Sequence, residues 1–277
     1  MPSEHRLISF DETPIFYRKF ESKVPLKAAL IILHGMGEHG GRYQPVAEYL
    51  TATGVTSYVL DLRGFGKSGG HRAYARHFSD FHKDLNAICQ LARQTSPKTP
   101  LFVLGHSFGG LIASSYSVLP AKEKIQGLIL SSPLCGIAIP VPAWKRYLGL
   151  GMAFLFPTYA QGSGVNPALL THDTEIQKEY AKDSLIYHRI TAGLYKELCG
   201  ALAQADSTAT KLTVPTLLLQ AGEDFIVSKK ASIDFYHKIS SSDKELEVYE
   251  GFYHEILNEV QRSQVFSRIA AWLSKHF

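Results

Sequence analysis

Residues 101–113 read Leu-Phe-Val-Leu-Gly-His-Ser-Phe-Gly-Gly-Leu-Ile-Ala. An apolar run ends at Gly105, Ser107 follows two residues later, and a second apolar run opens after Gly109. This is Gly-x-Ser-x-Gly set between a buried strand and a helix. A strand, a tight turn and a helix within so few residues force the turn residue into a strained backbone conformation. Side chains two positions to either side then have no room, so glycine stands at both. Such a turn lifts the Ser107 hydroxyl at the strand end and aims the N–H of Phe108 at the carbonyl it would attack. Plain glycine-rich strand-to-helix turns share these five letters, so the rest of the chain has to supply the partners.

The remaining pattern is that of a doubly covered parallel sheet. Two short alternating segments, Leu7 to Phe10 and Ile15 to Phe20, flank Asp11-Glu12-Thr13-Pro14 and read as a hairpin at a sheet edge. Strands apolar throughout are then expected at Ala28 to Leu33, Val55 to Leu60, Leu101 to Leu104, Ile125 to Leu130 and Val214 to Gln220, with a last strand at Glu245 to Tyr249. Helices alternate with them: Gln44 to Thr53, a long one on which Phe78, Phe81, Leu85, Ile88 and Ala92 share a face, one around Ser232 to Ile239, and Val260 to His276. Continuous apolar strands alternating with helices indicate a parallel sheet covered on both faces. The rhythm breaks over about 75 residues, where a Pro-, Gly- and aromatic-rich stretch is followed by a helical one from Thr174 to Leu202. The expected organisation is one α/β core, residues 1–133 and 210–277, carrying an inserted cap at 134–209.

Several function classes lose support. A net charge of +4 over 277 residues is spread along the chain without a basic run, which argues against nucleic-acid binding. The three cysteines, Cys89, Cys135 and Cys199, show neither disulfide nor zinc spacing and read as buried free thiols of a reducing compartment. The first residues lack the apolar centre of a signal peptide, and no stretch reaches the roughly 17–25 apolar residues of a membrane span. The expected location is the cytoplasm, with peripheral membrane contact left open.

A serine hydroxyl is a weak nucleophile unless a neutral imidazole takes its proton and a carboxylate fixes the imidazole tautomer. On a sheet of this kind the order along the chain is serine, acid, histidine. The acid is expected at the end of a late strand, where Leu217-Leu-Leu-Gln-Ala-Gly-Glu-Asp224 offers Glu223 and Asp224; alternation at a strand end favours Asp224. The histidine is expected after the last strand, at His254, whereas His237 and His276 fall on predicted helices. The oxyanion needs two fixed N–H donors, one from Phe108 and one from the loop after Ala28 to Leu33, which reads His34-Gly-Met-Gly-Glu-His-Gly-Gly-Arg-Tyr43. Gly35, Gly37 and Gly40 also spell a dinucleotide-binding loop, but that reading leaves Ser107, Asp224 and His254 without a purpose.

With these residues in view, four segments resemble the α/β-hydrolase branch of monoacylglycerol lipases and bacterial lysophospholipases. They are His34 to Tyr43, Asp61-Leu-Arg-Gly-Phe-Gly-Lys-Ser68, Gly105-His-Ser-Phe-Gly-Gly110 and His254-Glu-Ile-Leu-Asn-Glu259. Asp183-Ser-Leu-Ile-Tyr-His188 also resembles that family's cap segment, with Ser184 where proline is usual. The resemblance spans nearly the whole chain. It implies an α/β-hydrolase fold, a triad of Ser107, Asp224 and His254, and Met36 with Phe108 as oxyanion donors. It implies Glu38, Arg42 and His106 as binders of a glycerol head group; the rival reading makes Glu38 and Arg42 an ion pair that braces the loop. It implies no metal and no organic cofactor.

Asp61 and Arg63 are expected to pair and pin neighbouring loops. The segment Trp144 to Pro157 has two readings: an interfacial helix with Lys145 and Arg146 toward lipid headgroups, or an inward wall for an acyl chain. The expected activity is hydrolysis of acyl-lipid esters, most of all monoacylglycerols, through an acyl-enzyme. Lysophospholipase and general carboxylesterase activities are the nearest alternatives. An aminopeptidase would need an acidic cluster for the substrate amine, and a non-catalytic member of the fold usually lacks part of the triad, which is complete here. Oligomeric state, acyl length and head group are not legible.

Overall fold

A computed structural model describes residues 2–120, 122–138 and 143–277, with the side chains of 143–148 excepted. Lys145 and Arg146, singled out above, therefore lie outside the described residues. The elements in chain order are β1 (Ser3–Ile8), β2 (Pro14–Phe20), β3 (Ala28–Leu33), α1 (Gln44–Thr51), β4 (Val55–Leu60), α2 (Ser79–Thr95), β5 (Leu101–His106), α3 (Phe108–Ser117) and β6 (Gly127–Ser131). There follow α4 (Ala143–Leu155), β7 (Ala160–Gly162), α5 (Thr174–Lys182), β8 (Arg189–Thr191), α6 (Ala192–Ala203) and α7 (Ala205–Ala209). The chain closes with β9 (Thr216–Ala221), α8 (Lys229–Lys238), β10 (Lys244–Tyr249) and α9 (Ser263–Lys275).

The main sheet runs β1-β2-β4-β3-β5-β6-β9-β10. The β1–β2 hairpin and the β2–β4 pairing are antiparallel. Every pairing from β4 to β10 is parallel. The mostly parallel sheet with helices on both faces is the α/β-hydrolase architecture. Each central strand is buried on both sides. Ala29, Ile31 and Leu33 of β3 join one core with Phe81 and Ile88 of α2. Ala28, Leu30 and Ile32 join the other with Leu50 of α1 and Trp272 of α9. That double burial explains why these strands read as unbroken apolar runs rather than alternating ones.

From β3 the chain goes to β4 on one side and later returns to β5 on the other. The loops leaving β3 and β5 therefore diverge at the carboxyl ends of the strands, the place where open α/β sheets bind their ligands.

Two expectations fail. Thr174 to Leu202 is not one helix. At Asp183 the chain leaves α5 in an extended conformation (φ −73°, ψ 114°) and runs to the short β8 before α6 begins. The reason is tertiary: Tyr187 N–H donates to the Gly37 carbonyl (2.7 Å), and Asp183 takes a bond from His39 (2.7 Å), so this segment serves the loop after β3. Asp61 and Arg63 do not pair. Asp61 Oδ1 pairs with Arg18 (2.9 Å) and accepts the Gly40 N–H, while Oδ2 accepts the Lys67 N–H. Arg63 instead forks onto Asp84 of α2 (2.6 and 2.7 Å) and reaches Asp11. Each side chain is instead taken by a partner from another element, Asp61 by Arg18 of β2 and Arg63 by Asp84 of α2. Of the free cysteines, only Cys89 is fully buried; Cys135 and Cys199 are half-buried.

Candidate active site

The turn between β5 and α3 holds Ser107 at φ 52° and ψ −114°, a left-handed conformation that costs a non-glycine residue on the order of 1–3 kcal/mol. Backbone bonds hold it there. The Ser107 N–H donates to the Ser131 carbonyl (3.0 Å), and its own carbonyl accepts from Gly110, Leu111 and Leu134 (2.9, 3.1 and 3.0 Å). A Cβ on Gly105 would stand 2.3 Å from the Gly109 carbonyl oxygen, and one on Gly109 would stand 2.5 Å from that of Leu33. The two glycines of the motif are thus spacing requirements of the turn itself. Gly105→Ala should lower stability by about 1–3 kcal/mol or more, because the obstacle is backbone that cannot rotate away. A denaturation midpoint matching wild type would contradict this.

Asp224 lies just beyond β9 and His254 just beyond β10, and the structure brings them together. His254 Nδ1–H donates to Asp224 Oδ2 at 2.7 Å, with the carboxylate fully buried. Asp224 Oδ1 accepts the N–H groups of Ile226 and Val227 (2.9 and 2.8 Å), and Gln220 Nε2 reaches Oδ2 at 3.3 Å. Burial by itself would raise the Asp224 pKa; the imidazole and the two N–H donors outweigh it and hold the carboxyl below its usual range. Burial likewise pushes His254 down, but Asp224 prevails, with help from Glu255 and Glu38, and the imidazole pKa is raised. Since an ionised carboxylate only accepts, the Nδ1 bond fixes the tautomer and leaves Nε2 as the proton acceptor. Glu223 is exposed, and its backbone N–H bonds the Phe252 carbonyl.

Phe108 opens α3, and the first N–H groups of a helix have no intrahelical acceptor. Met36 lies on the loop after β3, two residues before Glu38. Glu38 Oε1 accepts the Gly35 N–H and the Tyr43 hydroxyl (both 2.7 Å). Its Oε2 pairs with Arg42 (2.6 Å). Burial works against the Glu38 charge, yet Arg42 together with His106 and His34 keeps its carboxyl well below the ordinary range. Arg42 also forks onto both oxygens of Glu255 (2.6 Å each). The His106 ring lies tilted against that of His254, with centroids 4.8 Å and planes 48° apart, and its Nδ1 lies 3.1 Å from Ser131 Oγ. Burial first, then the neighbouring His254, lowers the His106 pKa to about 4, so this ring is neutral near neutral pH. Among the described residues there is no His, Cys, Asp and Glu cluster suited to a metal ion.

The segment between β6 and β9 is stitched to both loops. Residues 170–172 bond the loop after β10: Glu255 N–H to the Leu170 carbonyl (2.8 Å), Thr171 Oγ1 to the Asn258 carbonyl (2.9 Å), and His172 to Glu259 (2.8 Å). Its α5 lays the Tyr180 ring over the Arg42 guanidinium at 4.8 Å. The stretch after α5 bonds the loop after β3 through Asp183 and Tyr187. Ser107 itself is only 7 % exposed.

Sequence reasoning did not find Gln220, Glu255 or Tyr180. Gln220 carried a signal, being the one polar residue in Leu217-Leu-Leu-Gln-Ala221. Glu255 directly follows the histidine but has no readable partner, because Arg42 is more than two hundred residues away.

A family model described as serine aminopeptidase, S33, matches residues 24–261. A monoacylglycerol lipase of Mycolicibacterium smegmatis is 29 % identical over 279 residues, covering 99 % of this chain and 98 % of the relative. An uncharacterized abhydrolase domain-containing protein of Dictyostelium discoideum is 31 % identical over 99 % of this chain, which spans only 29 % of that relative's length. Among solved structures, a monoacylglycerol lipase of Paleococcus ferrophilus superposes with a TM-score of 0.86 at 27 % identity, covering 95 % of this chain and 99 % of that one.

Proposed function

The chain belongs to the α/β-hydrolase family described as serine aminopeptidase, S33, and within it we propose a serine hydrolase that cleaves monoacylglycerols through an acyl-enzyme. The observation that carries this reading is the 2.7 Å bond from His254 to Asp224 beside the left-handed Ser107 turn. The similarity to monoacylglycerol lipases supports the substrate class. Ser107 attacks the ester carbonyl as His254 takes its proton, and the N–H groups of Met36 and Phe108 receive the oxyanion. The alcohol leaves with the proton from His254, and a water activated by the same imidazole releases the fatty acid. Residues 134–209 act as a cap that excludes water and lines the acyl site. The family description names a peptidase, but a free substrate amine calls for an uncommitted carboxylate. Glu38 and Glu255 are both engaged by Arg42, which favours the ester. Mass-spectrometric product analysis across monoacylglycerols, lysophospholipids, short esters and N-terminal dipeptide amides tests the assignment. Preferential turnover of any class but the first would replace it.

The pH dependence follows from His254. Its folded pKa is raised, so the imidazole is protonated, and unable to act as base, up to a higher pH than a free histidine would be. The acid limb of kcat/KM should therefore fall on the alkaline side of an unperturbed imidazole. A profile flat down into the carboxylate range excludes a histidine base.

We also propose peripheral contact with lipid. No described helix is long and apolar enough to cross a membrane. However, the end of α4 and the turn after it present Phe154 and Leu155 at 84 % and 74 % exposure, with Phe156 and Tyr159 beside them. The double variant Phe154→Ser/Leu155→Ser should weaken partitioning onto phosphatidylcholine vesicles at least about tenfold, given the apolar area each residue would bury. Unchanged co-sedimentation would show that lipid does not use this edge.

A further inference from the structure

We infer that Arg42 and Glu255 are a positioning couple that sets the oxyanion loop and the histidine loop in one register. The inference rests on the triad reading above and adds to it a part that acts through other groups. One unbroken series of contacts links the two halves of the site. The Gly35 N–H, adjacent to Met36, is held by Glu38; Glu38 holds Arg42; Arg42 forks onto Glu255; and Glu255 is covalently next to His254. Asn258 Nδ2 adds a third contact to Glu255 (3.0 Å).

The geometry suits positioning better than ligand binding. A guanidinium is a rigid planar fork, and two parallel bonds to one carboxylate fix orientation as well as distance. The side chains of Glu38, Arg42 and Glu255 are 4 %, 10 % and 5 % exposed, and both charged partners of Arg42 are spoken for inside the protein. A site that recognises hydroxyls keeps polar groups free for them. Tyr180 closes the outer face of the guanidinium, so α5 presses on the same hub.

The couple also has an electrostatic effect. The charged and titratable groups facing His254 are Asp224 beyond β9, Glu255 beyond β10, Glu38 and Arg42 beyond β3, and His106 at the end of β5. Two carboxylates share the single cation Arg42, and the surplus negative charge favours the imidazolium.

The test uses Glu255→Gln and Arg42→Lys in the full chain. Each is assayed on a monoacylglycerol and on a simple alkyl ester of the same acid, with pH profiles, thermal melts and Ser107→Ala in parallel. Positioning predicts that kcat falls about 10²-fold on both esters alike, with KM little changed, as expected for reacting groups displaced by about an ångström. It also predicts that the acid limb of Glu255→Gln moves to lower pH. Arg42→Lys should recover little, since an ammonium cannot fork. A loss confined to the monoacylglycerol and expressed in KM would make these residues head-group binders and overturn the inference. So would wild-type rates, or a lowered melting temperature with lost activity but an unmoved acid limb, which would mark a merely structural pair. Residual activity in Ser107→Ala would instead sink the triad reading, so the two failures are distinguishable.

Discussion

Ser107→Ala is expected to lower kcat by about 10⁴- to 10⁶-fold while leaving the fold unchanged. The loss is large because no acyl-enzyme forms without the hydroxyl, and none of the neighbours described around the turn replaces it. The fold survives because the left-handed turn is held by backbone: Ser107 bonds Ser131 through its N–H and Gly110, Leu111 and Leu134 through its carbonyl. Alanine carries the same Cβ, so the strain is the same in both proteins, and melting should shift by no more than about 0.5 kcal/mol. A fluorophosphonate probe should label the wild type at Ser107 and leave the variant unlabelled. More than a few per cent of residual turnover in a purified variant would end the nucleophile assignment.

Asp224→Asn is expected to cost roughly 10⁴-fold near neutral pH. The surroundings dictate which way the amide turns. Oδ1 of Asp224 accepts two backbone N–H groups, from Ile226 and Val227, and only an oxygen can stay there. The amide nitrogen is left facing His254 Nδ1, where it donates to the imidazole and drives the proton to Nε2, the nitrogen that must be free to accept. Glu223→Gln is the control, because Glu223 does not meet the imidazole, and it should be nearly silent. If the two effects are interchanged, the acid is on the other side of the strand end.

The sequence made legible what local chemistry determines. Buried parallel strands leave apolar runs, and the Ser107 turn leaves two glycines because backbone stands where a Cβ would go. Asp224 and His254 could be chosen because a parallel sheet presents its strand ends on one side, which reduces twelve histidines to one in the right place. Partnerships decided by tertiary approach were not legible. Asp61 had Arg63 two residues away and Arg18 more than forty away, and it took the distant one because β2 lies beside β4 and brings Arg18 to it, while Asp84 of α2 takes Arg63. The division of Thr174 to Leu202 was hidden for the same reason. Its residues allow helix throughout, and contacts with the loop after β3 and the pairing of β8 with β7 draw the chain out of it between Asp183 and Thr191. Glu38 and Arg42 show the intermediate case: their pairing is an i,i+4 spacing that can be read, whereas the third member, Glu255, cannot.

The stitching of residues 170–187 to both loops bears on how enzymes of this shape diversify. An inserted segment that only roofed the site would be a detachable part, free to be exchanged between relatives or lengthened without touching the reaction. Here its middle, residues 170–187, is bonded to both loops, through Leu170 and Thr171 on one side, Asp183 and Tyr187 on the other and Tyr180 between them. A chimera that borrows a whole foreign insertion must therefore also borrow matching residues at 39, 42, 255 and 258, or lose rate on every substrate. The stretch around α4 and β7 carries no such obligations to these loops among the described contacts, and substitutions can accumulate there at little risk to them.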